Sequence, residues 1–284
     1  MTVRTEPSPP TRPRGHRLRW ITVIGAVVLV VTGILVASWW RSDRPPQGSP
    51  GVPPPSSSPG QTSPAQTSPA QTPAAFPYQP LWPFPDADAA AAWQQSFREG
   101  GHQPWHLDPA LTAESFTQGY LRYAAVNLTT SRRTAGNEAW IGVGYALPNG
   151  GTATAAVVHL AKLGSGADAP WEVVGTEDST LTVPQPAYGS VVGSPVTAGG
   201  RITGVDENIH VRIFELRRGQ VGETGGIPAG GQNTPWSARV PFSAPAGSVL
   251  TIAVSTGGHL TDVERFAITG VQAGGSGAPS TKSG

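Results

Sequence analysis

Residues 138–163 read EAWIGVGYALPNGGTATAAVVHLAKL. Ile141, Val143, Tyr145 and Leu147 alternate with Trp140, Gly142, Gly144 and Ala146, the period of two of a strand with one buried face. Pro148-Asn149-Gly150-Gly151 carries turn chemistry, and Thr152 to Leu163 returns as the second arm of an antiparallel hairpin. Trp171–Val174 and Thr180–Val183 read as two more short strands. Upstream the period changes. Asp86 or Asp88 can cap a helix that places Trp93 and Phe97 one turn apart, and Gly100-Gly101 stops it. Asp108-Pro109 starts a second helix, in which Phe116, Tyr120, Tyr123 and Ala124 form one apolar stripe. Helices followed by an antiparallel meander predict an α+β domain over 76–187.

The pattern over 188–272 is all β. Strand-like runs fall at Arg201–Thr203, Ile209–Leu216, Trp236–Phe242, Val249–Val254 and Val263–Thr269, with Gly-rich turns between them, including Gly222–Gly231. Trp236, Ala238, Val240 and Phe242 share one strand face, as do Leu250, Ile252 and Val254. Short strands at this spacing predict a small two-layer sandwich. Residues 273–284 are expected to form a loose tail.

Residues 20–40 are of another kind. The run ITVIGAVVLVVTGILVAS contains no Asp, Glu, Lys or Arg, and Trp20, Trp39 and Trp40 bracket it. A stretch of about twenty apolar residues matches the ~30 Å hydrocarbon core, and tryptophan favours its borders. A cleaved signal has a shorter core, and the small-residue site Val36-Ala37-Ser38 is followed at once by two tryptophans, so an uncleaved single transmembrane helix is expected. Arg4, Arg12, Arg14, Arg17 and Arg19 precede it against Glu6 alone, which orients residues 1–19 to the cytoplasm and the remainder outward. Residues 41–75 are rich in Pro, Ser, Gln and Thr and repeat GQTSPA-QTSPA-QTPAA over Gly60 to Ala75, the composition of a disordered stalk. The protein is thus expected to be multi-domain and located at the cell membrane, with its carboxyl-terminal domains extracytoplasmic.

Charge and cysteine content exclude several classes. Seven of the 19 basic and two of the 18 acidic residues precede Pro45, leaving 12 basic and 16 acidic residues beyond it, which argues against a nucleic-acid surface. The chain has no cysteine, so disulfides, thiolate metal sites, thiol nucleophiles and a lipidated cysteine are all excluded.

The second β-rich segment resembles the immunoglobulin-like domain that accompanies bacterial spore-germination and sporulation proteins. The resemblance is carried by Gly193-Ser194-Pro195, Gly204-Val205, the run Glu207-Asn208-Ile209-His210-Val211-Arg212-Ile213, Trp236 to Phe242, Gly247 to Val254 and Val263 to Val271. It covers less than a third of the chain and implies a cell-surface module without a catalytic role and without site residues to carry over. The order of elements over 76–187 is similar at the level of topology to cystatin and nuclear-transport-factor-like folds.

Signals for chemistry are sparse. His102 and His106 are four apart, but Pro104 between them and the absence of a third ligand argue for a packed turn rather than a metal site. Glu177-Asp178 and Asp206-Glu207 lack the oxygen-rich loop that calcium requires. No G-x-S-x-G elbow, Walker loop or dinucleotide-binding glycine pattern occurs. No cofactor is expected. The residues singled out as a binding surface are Ile227 and Pro228 on a Gly-rich loop, the adjacent Trp236, and Arg217-Arg218 beside Gly219, which could contact an anionic polymer. The expected function is non-enzymatic binding or scaffolding in the cell envelope, with an envelope protein or cell-wall polymer as partner, in connection with envelope or sporulation and germination processes. The alternative is a small-ligand or enzyme site in the concave face of the α+β domain. An open pocket with converging His106, Glu138 or His159 would favour that alternative, and a side-chain-filled sheet would favour the first reading.

Overall fold

Asp86 caps helix α1 (Ala87–Gly100): its carboxylate accepts the Ala89 N–H at 2.8 Å, and Gly101, at φ 68°, ends the helix by donating its N–H to the Phe97 carbonyl. A computed structural model describes residues 76–177 and 180–275 of the chain. The expected transmembrane helix, stalk and tail therefore lie outside the described residues, except for 273–275. Helix α2 (Pro109–Ser115) starts as expected, with Asp108 accepting the Ala110 N–H at 2.8 Å. The expected stripe does not continue as one helix. A π turn covers Phe116–Tyr120, and Arg122, at φ 63°, breaks the spiral before Tyr123. Phe116 and Tyr123 still reach the core, whereas Ala124 is exposed.

Four antiparallel strands follow, in spatial order β1 (Leu128–Ala135), β2 (Glu138–Ala146), β3 (Thr152–Lys162) and β4 (Trp171–Thr176). The β2–β3 hairpin is the one read from the sequence. Strand β1 went unpredicted because its sequence, LTTSRRTA, has no apolar alternation, and as an edge strand it is mostly exposed. A bulge lies between Val143 and Gly144, where a Cβ on Gly144 would lie 1.8 Å from the Ala153 carbonyl oxygen, so only glycine fits. The free edge of β4 is covered by the incoming chain: Leu81 N–H donates to Val173 O at 3.1 Å and Val173 N–H to Trp82 O at 2.8 Å.

The second sheet has the order β5-β9-β8-β6-β7, with β5 (Val191–Val192) parallel to β9 (Arg265–Ala273) and the other pairs antiparallel. Strands β6 (Val196–Glu215) and β7 (Gly219–Val240) form one long ribbon, and β8 (Val249–Thr256) pairs only with the later half of β6. Two expectations change here. Arg201–Thr203 and Ile209–Leu216 fall on a single strand that ends at Glu215, with Leu216 in the turn, and Gly222–Gly231, expected as a turn, is ladder paired with β6, with Ile227 opposite Ile209. Glycine spacing signalled a turn, but the backbone hydrogen bonds of the ribbon hold the segment extended.

The ribbon is strongly bent. A straight strand of this length would separate its ends by roughly 70 Å, yet Ser243 N–H donates to Val221 O at 3.2 Å and Gly222 bridges Phe242. The fold-over coincides with register shifts around Gly204. Its two halves therefore face each other across a core of Ile202, Trp236, Ala238 and Val240 against Val211, Ile213, Ile252 and Val254. Thr180–Val183, read as part of the first meander, pairs with this second ribbon instead: Leu181 bridges Ile202, and Gln185 bridges Gly199.

The outer face of β6, β8 and β9 is also buried. Phe214, Ala253, Phe266 and Ile268 join Phe116, Leu121, Tyr123, Ile141, Val143 and Leu81 in one apolar cluster that unites both sheets. Phe266 is 1% exposed, with its ring 5.2 Å from that of Tyr123. Phe266→Ala is expected to cost about 3–5 kcal/mol in denaturant unfolding of the full chain, and a loss below about 1 kcal/mol would show that this shared cluster does not hold the two sheets together.

Candidate functional site

The inner face of the first sheet is filled. Ile141, Val143, Val158, Leu160 and Val173 are each fully buried, with Phe116 and Leu121 packed on them. The concave site of the alternative reading is occupied by side chains. Glu138 and His159 do meet, but on the outer face: His159 Nε2 donates to Glu138 Oε2 at 2.9 Å, and the Tyr78 hydroxyl donates to Oε1 at 3.0 Å. These bonds, His159's first, hold the Glu138 carboxyl below its usual range. The His159 ring stacks on Trp140 at 4.9 Å and takes the edge of Tyr78 at 5.2 Å, while Arg133 covers the Trp140 ring at 3.9 Å. Arg133, Trp140 and His159 are register neighbours on β1, β2 and β3, so this is a cross-strand stack.

His106 does not join them. It is 3% exposed beneath Phe84, Trp93 and Trp105, its Nδ1 has no partner, and burial lowers its pKa to about 4. It is a neutral core residue. Among the described residues no group of three or more His, Asp or Glu could hold a metal ion.

The five residues singled out from the sequence are dispersed. Arg217 and Arg218 are exposed at the β6–β7 turn, where their backbone N–H groups donate to Glu215 Oε2 at 3.2 and 2.9 Å. Their side chains border a cavity of about 410 Å³ with Pro80 and Pro85. Ile227 is half-buried against the second core, Pro228 is exposed opposite Asn208, and Trp236 is 6% exposed inside that core. Trp236 is thus packing rather than surface, because its strand face points between the two halves of the ribbon.

A larger concavity lies between the segment that leads into β1 and the second sheet. About 740 Å³ of space is bounded by the Arg122–Ala125 segment on one side and by His210, Arg212 and Ser255 of the second sheet on the other, with Glu223–Gly225 and Asp262-Val263 at the rim. His210 and Ser255 are partners in the β6–β8 register, and Arg212 is opposite Glu223 on β7. The Arg212 guanidinium stands 4.5 Å from the Tyr123 ring centroid and 5.5 Å from that of Phe214. Comparison with family models, curated proteins and solved structures finds no match to this chain. Sequence reasoning missed the cleft because Arg122 belongs to no motif, Arg212 belongs only to a resemblance that carries no site residues, and the two line one cleft only in the folded chain. The one local signal is Arg122 itself, a charged residue between the buried Leu121 and Tyr123.

Two buried titratable groups beside the incoming strap give opposite pH dependences. Glu172 is fully buried on β4, Phe84 N–H donates to its Oε2 at 3.1 Å, and Oε1 has no partner. Burial pushes its carboxyl well above the usual value of 4.5, so it folds protonated. Its stabilising contribution is present below the unfolded pKa and is lost as pH rises above it. Glu172→Gln should therefore gain stability relative to the native chain between pH 5 and pH 7.5, by about 1–3 kcal/mol at the upper end. His106 works the other way. Its depressed pKa means that stability is present above about 6.5 and is lost as pH falls toward about 4, a decrease of about 3 kcal/mol. In His106→Leu that acid-side slope should flatten in thermal unfolding, and an unchanged slope would show that His106 is not the group responsible.

Proposed function

We propose that the protein is a membrane-tethered, extracytoplasmic binding protein of the cell envelope, without catalytic activity, whose ligand enters the cleft between the Arg122–Ala125 segment and the second sheet. The observation that carries the binding reading is this cleft of about 740 Å³. Its volume is within the range of small-molecule sites. The filled inner face of the first sheet favours this location over the concave site of the alternative reading.

The tethering reading rests on the uncharged run within 20–40 and on its arginine-rich flank. The immunoglobulin-like reading of the second sheet is supported by its folded-over ribbon, by the order β5-β9-β8-β6-β7 and by the parallel pairing of β5 with β9. In such a module the residues at one end serve recognition while the two-layer core serves stability. A connection with sporulation or germination is the finer part of this proposal and rests on the sequence resemblance alone.

Two measurements test it. A protease added to intact cells should degrade the carboxyl-terminal half, and full-length chain should retain an envelope protein or wall polymer from detergent extract. Protection of that half in intact cells, or recovery of the full-length chain in the cytosol, would overturn the tethering. A wall or membrane extract that yields no specific component would overturn the binding role.

A further inference from the structure

We infer that the cleft between the Arg122–Ala125 segment and the second sheet takes a small organic anion, held through a carboxylate or phosphate group by Arg122 and Arg212. The inference rests on the binding reading above and names the ligand's chemistry. Elsewhere in the fold, Arg98, Arg132 and Arg133 pair with Asp168, Asp108 and Glu177, Arg201 and Arg265 donate to backbone carbonyls, and the arginines whose side chains have no such partner among the described residues, Arg217, Arg218 and Arg239, are exposed. Arg212 is half-buried, yet among the described residues its guanidinium has neither an ion pair nor a hydrogen-bond acceptor. Its only contacts of this kind are the Tyr123 and Phe214 ring faces, which fix the plane of the fork and leave its edge N–H groups unused. A planar, bidentate acceptor is what that fork matches.

Arg122 brings the second charge. Its φ of 63° is a left-handed conformation that a non-glycine residue adopts at a cost of roughly 1–2 kcal/mol. Burial of Leu121 and Tyr123 on either side, with Tyr123 N–H donating to Thr117 O at 3.0 Å, keeps it there and leaves the Arg122 side chain on the cleft wall. The rim acids match the two arginines in number but do not pair with them. Glu223 Oε2 accepts from Gln220 Nε2 at 2.7 Å, and neither Glu223 nor Asp262 forms an ion pair with either arginine. Gly225 makes room for the third nitrogen-bearing side chain: a Cβ there would lie 2.4 Å from His210 Nδ1.

Calorimetric titration of the full-length protein in non-ionic detergent, at constant ionic strength, with citrate and separately with inorganic phosphate tests this. One-site, saturable binding of at least one anion is expected. Arg122→Gln, which alters an exposed side chain, and Arg212→Lys, which keeps charge but loses the fork, should each weaken it about tenfold. Unfolding temperatures of both variants serve as the folding control. Preference for citrate assigns a carboxylate ligand, and preference for phosphate assigns a phosphorylated one. Failure of both anions to saturate, or native-like affinity in both variants, overturns the inference. If an envelope component is still retained in that case, the broader binding reading survives. Protease protection of the carboxyl-terminal half would overturn the tethering without affecting the anion result.

Discussion

The layer formed by β6, β8 and β9 is buried on both faces, and the rest of the fold depends on that. Ile252 and Val254 point into the core of the folded-over ribbon, while Ala253 between them points into the cluster shared with the first sheet. Phe214, Phe266 and Ile268 do the same work on the shared side. The inner face of the first sheet is closed by Phe116 and Leu121 together with Phe214, Ala253, Phe266 and Ile268 of the second sheet. The incoming strap completes the arrangement, since Leu81 enters the shared cluster while its backbone extends β4.

Closure of this kind has electrostatic consequences. Glu172 and His106 are taken out of water by the same strap and helices, and each is left with one polar atom unpartnered. Both settle in their neutral forms because burial penalises charge more than the nearby dipoles favour it. The outer face of the first sheet shows the opposite regime. There Glu138, His159, Tyr78, Trp140 and Arg133 remain in partial contact with solvent and satisfy one another across adjacent strands.

The cleft is a by-product of the same junction. At its edge the Arg212 guanidinium lies over the rings of Tyr123 and Phe214, which belong to the shared apolar cluster. Arg212 is thus a half-buried cation held by ring faces rather than by an acid.

The sequence alone determined the local elements. The Asp86 and Asp108 caps, the glycine stop after α1, the 138–163 hairpin and the alternation along β8 follow from short-range chemistry that any chain with these residues would obey. It also gave the hydropathy of residues 20–40, a property of composition. Only tertiary structure decided the rest. Glycine-rich Gly222–Gly231 is a strand because a partner strand offers it hydrogen bonds, polar β1 is a strand for the same reason, and Trp236 is core because the ribbon folds over it. Arg122 and Arg212 line one cleft because the Arg122–Ala125 segment packs Tyr123 into the same apolar cluster as Phe214. Periodicity records which face of an element is apolar, and what that face meets is settled by packing between residues far apart in the chain.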